Sequence, residues 1–184
     1  MMKKAAVLMA EGFEESETLT IVDILRRAGL TCDTFAFGEP YVKGMQGMTV
    51  KADKQFGEEV NDYDMVVLPG GRPGGDNLRS NPAVIRLIQQ FNREGKFVAA
   101  MCSGTVALSD AGIIEGRHVT GYTGYEKKLL GAIFEEKVVV RDDNLITSQG
   151  PATPYPFAYA LADALGKDTS ILREKMLYNF AGGK

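Results

Sequence analysis

The most informative feature of the sequence is a cysteine between an apolar run and a helix-like segment. In KFVAAMCSGTVALSDAG, residues 96–112, Cys102 follows the apolar run and precedes Ser103 and Gly104. Small residues on both sides permit the sharp strand–helix turn called a nucleophile elbow, which presents its side chain to a ligand. Amide N–H groups at the start of the following helix favour a thiolate. The position therefore predicts a reactive thiol rather than an inert, buried one.

A glycine-rich turn after another apolar run offers backbone donors beside this thiol. The run DMVVLPGG ends in Pro69, Gly70 and Gly71. The carboxyl ends of parallel strands meet at one edge of a sheet, so this turn and Cys102 are expected to be neighbours. A backbone N–H of the turn, together with that of Ser103, would form a site for the oxyanion that arises when a thiolate attacks a carbonyl.

The acid–base partner predicted for the thiol is the carboxyl group of Glu17. In EGFEESETLTIVDIL, Glu17 lies four positions before Ile21 and seven before Ile24, which places it on the apolar face of a helix. Burial on that face raises the pKa of a carboxyl group, which can then stay protonated and donate a hydrogen bond to a thiolate. Glu15 is explained by the ordinary preference for acidic residues in a first helical turn.

The single histidine and the second cysteine are predicted to lie outside the site. His118 begins the strand-like segment HVTGY, so a parallel arrangement puts it roughly 10 Å or more from the edge that carries Cys102. Cys32 lies inside TCDTFAF with no helix start after it, which is typical of a buried structural cysteine. One histidine and two distant cysteines form no ligand cluster, so we predict neither a metal site nor a disulfide framework.

Composition narrows the class of protein. The 184 residues carry 21 Lys+Arg against 24 Asp+Glu, a formal net charge of -3, and this balance favours neither nucleic acid nor a membrane surface as a partner. No apolar run approaches the roughly 20 residues of a membrane span, and the N-terminus lacks a signal-peptide pattern. The segment PGGRPGGDN lacks the motifs of phosphate and dinucleotide loops, so we predict no cofactor. Free thiols fit a cytoplasmic location.

Apolar strands alternate with amphipathic helices along the chain, a pattern typical of a mostly parallel sheet covered on both faces. We predict one α/β domain over residues 1–184, a three-layer flavodoxin-like sandwich that binds its ligand beyond the carboxyl ends of the strands. The predicted strands lie at 4–9, 31–37, 64–68, 96–101 and 118–122, with hairpins at 45–50 and 137–151, and the predicted helices at 15–28, 81–95, 103–112, 126–130, 155–165 and 168–178.

Four segments, taken in order, resemble the motifs of the ThiJ/PfpI superfamily: EGFEESET, VVLPGG, AAMCSGTVAL and TSQGP. The final REKMLYNF resembles the last helix of a bacterial branch of that superfamily. The resemblance implies a cytoplasmic homodimer with a flavodoxin-like fold, similar to class I glutamine amidotransferases. It also implies an oxidation-sensitive cysteine at Cys102, a protonated glutamate at Glu17, and oxyanion donors at the amides of Gly71 and Ser103, with Gly70 shaping the turn.

One position departs from the superfamily pattern. The segment HVTGYTGYEKKL places Tyr122 where many members carry a histidine near the cysteine. A tyrosine hydroxyl can bind a substrate but is a poor base at neutral pH. This weakens the case for amide hydrolysis, which depends on a Cys–His pair. For the homodimer, the resemblance implies a surface on the helix that carries Arg26 and Arg27.

Three hypotheses about function stay open at this stage, because superfamily members include glyoxalases, deglycases, redox-regulated chaperones and peptidases. In the first, the Cys102 thiolate adds to a small reactive dicarbonyl or a glycated substrate, and Glu17 moves the proton without any cofactor. In the second, the protein is a redox sensor or redox-regulated chaperone in which Cys102 is oxidised to a sulfinic acid that Glu17 stabilises. The third is an amidase, a peptidase or an enzyme related to thiazole biosynthesis.

Overall fold

The computed structural model describes residues 3–182, which fold around a central sheet of seven strands. The strands are β1 (Lys4–Met9), β2 (Thr31–Ala36), β3 (Tyr41–Lys43), β4 (Thr49–Lys51), β5 (Lys54–Gln55), β6 (Met65–Leu68), β7 (Phe97–Met101), β8 (His118–Val119), β9 (Ile133–Phe134), β10 (Val139–Asp142) and β11 (Leu145–Ser148). The helices are α1 (Glu15–Arg27), α2 (Gly74–Arg79), α3 (Pro82–Arg93), α4 (Val106–Asp110), α5 (Pro154–Ala164) and α6 (Ser170–Lys175).

The central sheet has seven strands in the order β10-β11-β7-β6-β1-β2-β5. Every neighbouring pair is parallel except β10 and β11, which form an antiparallel hairpin at one edge. The inner strands consist almost entirely of buried apolar residues, as expected when both faces of a parallel sheet are covered. The three-layer α/β architecture predicted from the sequence is therefore confirmed.

Two apolar cores lie on opposite faces of the sheet. Alternate residues of β6 point to different sides: Met65 and Val67 pack with the apolar faces of α1 and α5, and Val66 and Leu68 pack beneath α2, α3 and α4. This period of two follows from the pleat of a strand. Because helices on both faces bury the sheet, only its edges and the ends of its strands remain open to ligands.

Helix α1, which positions one site residue, has sequence signals at both of its ends. Its N-cap is Glu14, whose side chain accepts a hydrogen bond from the N–H of Glu17. Arg26 and Arg27 occupy the last turn, where positive charge interacts favourably with the helix dipole. Gly29 follows with a φ of 73°, a left-handed conformation that glycine adopts without steric cost, and it ends the helix.

The structure differs from the sequence predictions in several segments. The predicted hairpin at 45–50 covers only the turn and second strand of the observed pair β3–β4. The predicted strand at 118–122 is shorter, and β8 pairs with β9 in a separate two-stranded sheet. Helix α2 occupies a glycine-rich stretch for which the sequence predicts no helix, and the final helix, predicted at 168–178, is confined to α6. Within residues 3–182, no helix is both long enough and apolar enough to cross a membrane.

Candidate active site

Cys102 lies directly after β7, at a sharp turn into a short 3-10 helix, Cys102–Thr105, that leads into α4. Its φ is 54°, in the left-handed region that non-glycine residues rarely adopt. The hydroxyl of Thr105 donates a 2.7 Å hydrogen bond to the Cys102 carbonyl and helps to hold this conformation. Cys102 as a whole is 9% exposed, so the residue is buried, but it lines a cavity on one side. The turn has the strained geometry of a nucleophile elbow.

Gly70 allows the thiol and the carboxyl group of Glu17 to approach each other. A Cβ at this glycine would lie 2.6 Å from the Cβ of Cys102, 2.9 Å from its sulfur and 2.7 Å from Glu17 Oε2. No side chain fits into that space. The glycine also contributes directly, because its N–H donates a 2.8 Å hydrogen bond to Glu17 Oε2.

Glu17 is fully buried on the inner face of α1, as its spacing from Ile21 and Ile24 predicts. Burial raises the pKa of its carboxyl group from 4.5 to about 7, against the lowering effects of the Gly70 amide and of the Cys102 side chain. Its second oxygen, Oε1, is buried and accepts no hydrogen bond from the described residues. An ionised oxygen without a donor would be costly there, so this environment favours the protonated acid.

The thiol and the carboxyl group titrate as a pair. Burial and the charge of an ionised Glu17 raise the pKa of Cys102 to about 12, and the amides of Ser103 and Gly71 lower it. The contribution of Glu17 charge is absent when the carboxyl group keeps its proton, and the O–H then becomes a donor for the sulfur. The pair therefore loses its first proton near the pKa of about 7 found for Glu17 and resists the loss of a second. Two amides face the sulfur, whereas the carboxyl group has one, from Gly70 to Oε2, and none at Oε1, so we assign that negative charge to sulfur.

The two backbone amides expected to hold an oxyanion both face Cys102. The N–H groups of Ser103 and Gly71 hydrogen-bond the sulfur. The Ser103 hydroxyl donates a 2.9 Å bond to the Gly71 carbonyl, which ties the elbow to the loop after β6. Gly71 has a φ of 112°, and a Cβ there would lie 2.2 Å from the Gly12 carbonyl oxygen. The stabilisation expected from the N-terminus of a long helix thus comes here from one amide of the 3-10 helix, that of Ser103, and one of the loop after β6, that of Gly71, because α4 has only five residues.

A small cavity opens above the sulfur. Tyr122, which is 43% exposed, lies at its rim, and its ring makes an edge-to-face contact with Tyr125 at a centroid distance of 5.6 Å. The structure thus brings Cys102, Ser103, Gly71 and Tyr122 to one cavity, with Glu17 and Gly70 beneath the thiol. The cavity has a volume of about 290 Å³ and is lined by Glu14, Met45, Gln46, Gly71, Arg72, Cys102, Ser103, Tyr122, Tyr125 and Pro151.

Several lining residues were not identified from the sequence. Glu14 is engaged as the N-cap of α1, and an acidic residue just before a helix was the signal that could have indicated it. Arg72 donates a 2.9 Å hydrogen bond to the hydroxyl of Tyr125. Met45 and Gln46 come from the turn between β3 and β4, which is held by hydrogen bonds from the N–H groups of Gln46 and Met48 to buried Glu15. Glu15 therefore holds the turn that lines the cavity, in addition to placing an acidic residue in the first turn of α1.

The histidine and the second cysteine lie apart from the cavity. His118 is exposed, and its Nδ1 is 2.7 Å from Glu135 Oε1. Cys32 lies within β2 and is 3% exposed, and burial raises the pKa of its thiol to about 12. Within residues 3–182, no three His, Cys, Asp or Glu side chains come together in a group that could hold a metal ion.

Comparison with known proteins identifies the family of the chain. A family model described as the DJ-1/PfpI family matches residues 3–164. The chain belongs to the DJ-1/PfpI family. The resemblance to the ThiJ/PfpI superfamily inferred from four short segments is therefore confirmed across most of the chain.

Curated relatives within the DJ-1/PfpI family match the chain over most of their length. Protein dj-1beta of Drosophila melanogaster is 34% identical over 173 residues, covering 91% of this chain and 92% of the relative. The Parkinson disease protein 7 homolog of Danio rerio is 34% identical over 169 residues, covering 89% of each.

Solved structures in the family share the fold. A cysteine-to-alanine mutant of a DJ-1 superfamily protein from Salmonella typhimurium superposes with a TM-score of 0.90 at 34% identity, covering 97% of this chain and 98% of that one. Oxidized DJ-1 of Toxoplasma gondii gives a TM-score of 0.87 at 27% identity, covering 97% and 98%.

The titration of the pair can be followed through alkylation of Cys102. We expect the rate with iodoacetamide to be half-maximal near pH 7, where the pair loses its first proton. In Glu17→Gln the midpoint should rise by about one unit, because an amide is a weaker donor to sulfur than a carboxyl O–H. The measurement is made in a Cys32→Ser background, so that Cys102 is the only cysteine. The reaction is quenched at set times and the extent of alkylation is determined by mass spectrometry. A midpoint that falls in the variant would place the charge on the carboxylate instead.

Proposed function

We propose that the protein is a stress-response protein of the DJ-1/PfpI family that converts small 2-oxoaldehydes, such as methylglyoxal and glyoxal, into 2-hydroxy acids without a cofactor. The observation that carries this proposal is the meeting of the Cys102 thiol, a buried carboxyl group with a pKa of about 7 and two backbone amides beside a cavity of about 290 Å³. A cavity of this size suits a substrate of a few heavy atoms.

The first chemical step is addition of the Cys102 sulfur to the aldehyde carbon. An S–C bond forms and the carbonyl π electrons move to oxygen, where the N–H groups of Ser103 and Gly71 stabilise the negative charge. The proton of Glu17 then passes to this oxygen and leaves a hemithioacetal beside a carboxylate. An acid with a pKa near the working pH is well suited to give up a proton and take another.

The second step transfers hydrogen between the two substrate carbons. The Glu17 carboxylate removes the proton from the carbon bonded to sulfur, which gives an enediolate. The hydroxyl proton on the former aldehyde oxygen moves to the neighbouring oxygen, and Glu17 returns its proton to the neighbouring carbon. The former aldehyde carbon is thereby oxidised to a thioester of Cys102 and the former ketone carbon is reduced to an alcohol, so no external electron acceptor is needed. Water hydrolyses the thioester, which releases lactate from methylglyoxal and regenerates the thiol.

The site favours this chemistry over amide hydrolysis. Cleavage of an amide requires a general acid that protonates the leaving amine, commonly a histidine paired with the cysteine. The histidine of this chain, His118, is exposed and bonded to Glu135, and Tyr122 stands at the cavity rim instead. Glu17 lies beneath the sulfur, where it can donate a proton to an oxyanion or remove one from the carbon bonded to sulfur.

A redox role of the same thiol is the second candidate, and a relative supports it. The Toxoplasma gondii structure, 27% identical to this chain, is described as oxidized. Two equivalents of peroxide would convert the Cys102 thiolate first to a sulfenic and then to a sulfinic acid, releasing water or hydroxide, and the Glu17 O–H would donate to the product. Selective gain of two oxygens on Cys102, and not on Cys32, after mild peroxide treatment supports this role.

The homodimer implied by the family resemblance remains a prediction. Arg26 and Arg27 on α1 form ion pairs with Asp53 and Asp23 of the same chain. Their charges therefore do not require a second subunit. Sedimentation of the protein at micromolar concentration would measure the assembly directly.

Lactate formation from methylglyoxal in the absence of glutathione tests the proposed enzymatic function. We expect Cys102→Ser to reduce the rate to that of buffer, because a serine hydroxyl is not activated by a carboxyl group with a pKa of about 7. Cys32→Ser is the matched control and should retain the wild-type rate, because that thiol is buried in β2 away from the cavity. Equal rates for wild type and Cys102→Ser would rule the mechanism out.

A further inference from the structure

Arg72 is a cation at the mouth of the cavity that has no acidic partner. It lines the same cavity as Cys102. Among residues 3–182, no carboxylate oxygen lies within 4.0 Å of its guanidinium, and its side chain bonds the hydroxyl of Tyr125 at 2.9 Å. Five other arginines each pair with an aspartate: Arg26, Arg27, Arg79, Arg117 and Arg173.

Tyr125 fixes the position of this cation. The tyrosine is 8% exposed, and its ring packs edge-to-face on Tyr122. The Arg72 guanidinium carbon lies 6.0 Å from the Tyr125 ring centroid, and the Lys128 ammonium lies 4.1 Å from the same centroid. A buried aromatic residue thus holds two positive charges near one side of the cavity. Only one guanidinium nitrogen of Arg72 is used by Tyr125, so other N–H donors remain for a ligand.

The acidic groups nearby do not cancel this charge. Glu14 also lines the cavity, but its Oε2 accepts hydrogen bonds from the N–H of Glu17 at 2.6 Å and from the Ser16 hydroxyl at 2.7 Å. Its charge is thus held at the N-terminus of the 13-residue helix α1, where the helix dipole offsets it. Asp76 acts on Arg72 only from beyond ion-pair distance. At the mouth of the cavity, the positive charge of Arg72 is therefore left without a directly paired carboxylate among residues 3–182.

The geometry points to an anion subsite: the cavity binds small aldehydes that carry a carboxylate or a phosphate group, with the anion on Arg72 and the carbonyl carbon at Cys102. This inference rests on the proposed function, because it assumes that the thiol adds to an aldehyde, and it specifies the class of aldehyde. The aldehyde binds through the reversible addition already described, in which an S–C bond forms with Cys102 and the carbonyl oxygen takes up the proton of Glu17. Cationic substrates, such as lysine side chains, are disfavoured by the same charge.

Protection of Cys102 from iodoacetamide measures binding of matched aldehydes at pH 7.5. The pairs are D-glyceraldehyde 3-phosphate with D-glyceraldehyde, and glyoxylate with glyoxal, so that the phosphate and the carboxylate are tested separately. For at least one pair, we expect half-protection of wild-type Cys102 at a concentration of the anionic aldehyde about tenfold lower than that of its neutral partner. This factor corresponds to one charge-assisted hydrogen bond. The preference should shrink in 0.5 M salt and disappear in Arg72→Met.

Arg86→Met is the control, because Arg86 is exposed on α3 and outside the cavity, and it should keep the preference. If the anionic aldehyde is preferred in only one of the two pairs, that pair identifies whether the subsite binds a phosphate or a carboxylate. Equal protection by both members of each pair in wild type, or a preference retained in Arg72→Met, overturns the subsite. Failure to make lactate from methylglyoxal, with the preference intact, would contradict the proposed turnover and leave the subsite standing. Absence of protection by every aldehyde would overturn both.

Discussion

Replacing Glu17 by glutamine is expected to remove a pH-dependent loss of stability of about 3 kcal/mol. Burial raises the pKa of this carboxyl group from 4.5 to about 7. Between these two pH values the folded protein keeps a proton that the unfolded chain has lost, so the free energy of unfolding falls as the pH rises. Glutamine is neutral throughout and still offers an oxygen to the N–H of Gly70, so the variant avoids this loss.

Urea unfolding between pH 4 and 9 measures this effect. The free energy of unfolding of Glu17→Gln relative to wild type should increase from about pH 4.5 and level off above about pH 8. Glu11→Gln alters an exposed carboxyl group just before the same helix and serves as the control. Its difference from wild type should stay within about 0.5 kcal/mol across the range. A constant difference between Glu17→Gln and wild type would mean that residue 17 ionises as in the unfolded chain.

The site residues that could be identified from the sequence are those whose position depends on one element. Glu17 lies on the apolar face of one helix, and Cys102 lies at the end of one strand, and both features follow from local periodicity. Arg72, Tyr125 and Pro151 come from three separate loops and meet only in the folded chain. No spacing in the sequence records such a meeting, so they were found only in the structure.

The same distinction explains the errors in the fold. The buried strands are continuous apolar runs and the long helices have strong periodic patterns, and both were predicted correctly in type. The segment after His118 also has a strand-like pattern, but the choice of pairing partner, here β9 instead of the central sheet, is not a local property. Helix α2 was missed because glycine has a low helix propensity. Its Gly75 is explained by packing, since a Cβ there would lie 2.5 Å from Ser103 Oγ.

Replacing Gly104 by alanine is expected to destabilise the protein by about 3 kcal/mol, at the upper end of overpacking effects. A Cβ at this position would lie 2.4 Å from the carbonyl oxygen of Leu68 and 2.5 Å from that of Pro69. Both obstacles are backbone atoms at the carboxyl end of β6, so no side-chain rotation can relieve the clash. Either the elbow or the strand end must move. The amides of Ser103 and Gly71 that face the sulfur belong to these two segments, so alkylation of Cys102 should slow as well.

Gly57→Ala provides a matched comparison, because Gly57 also has a backbone conformation open to alanine, with a φ of -175°, and nothing lies within 4 Å of its added Cβ. This substitution should change the free energy of unfolding by less than about 1 kcal/mol. Part of the change is a small stabilisation, because alanine reduces the conformational entropy of the unfolded chain. Urea unfolding and the alkylation rate of Cys102 at pH 7 are measured for both variants. Wild-type stability and reactivity in Gly104→Ala would contradict the close contact between the elbow and β6. Lost stability with an unchanged alkylation rate would show that the amides around the sulfur keep their positions when the contact is strained.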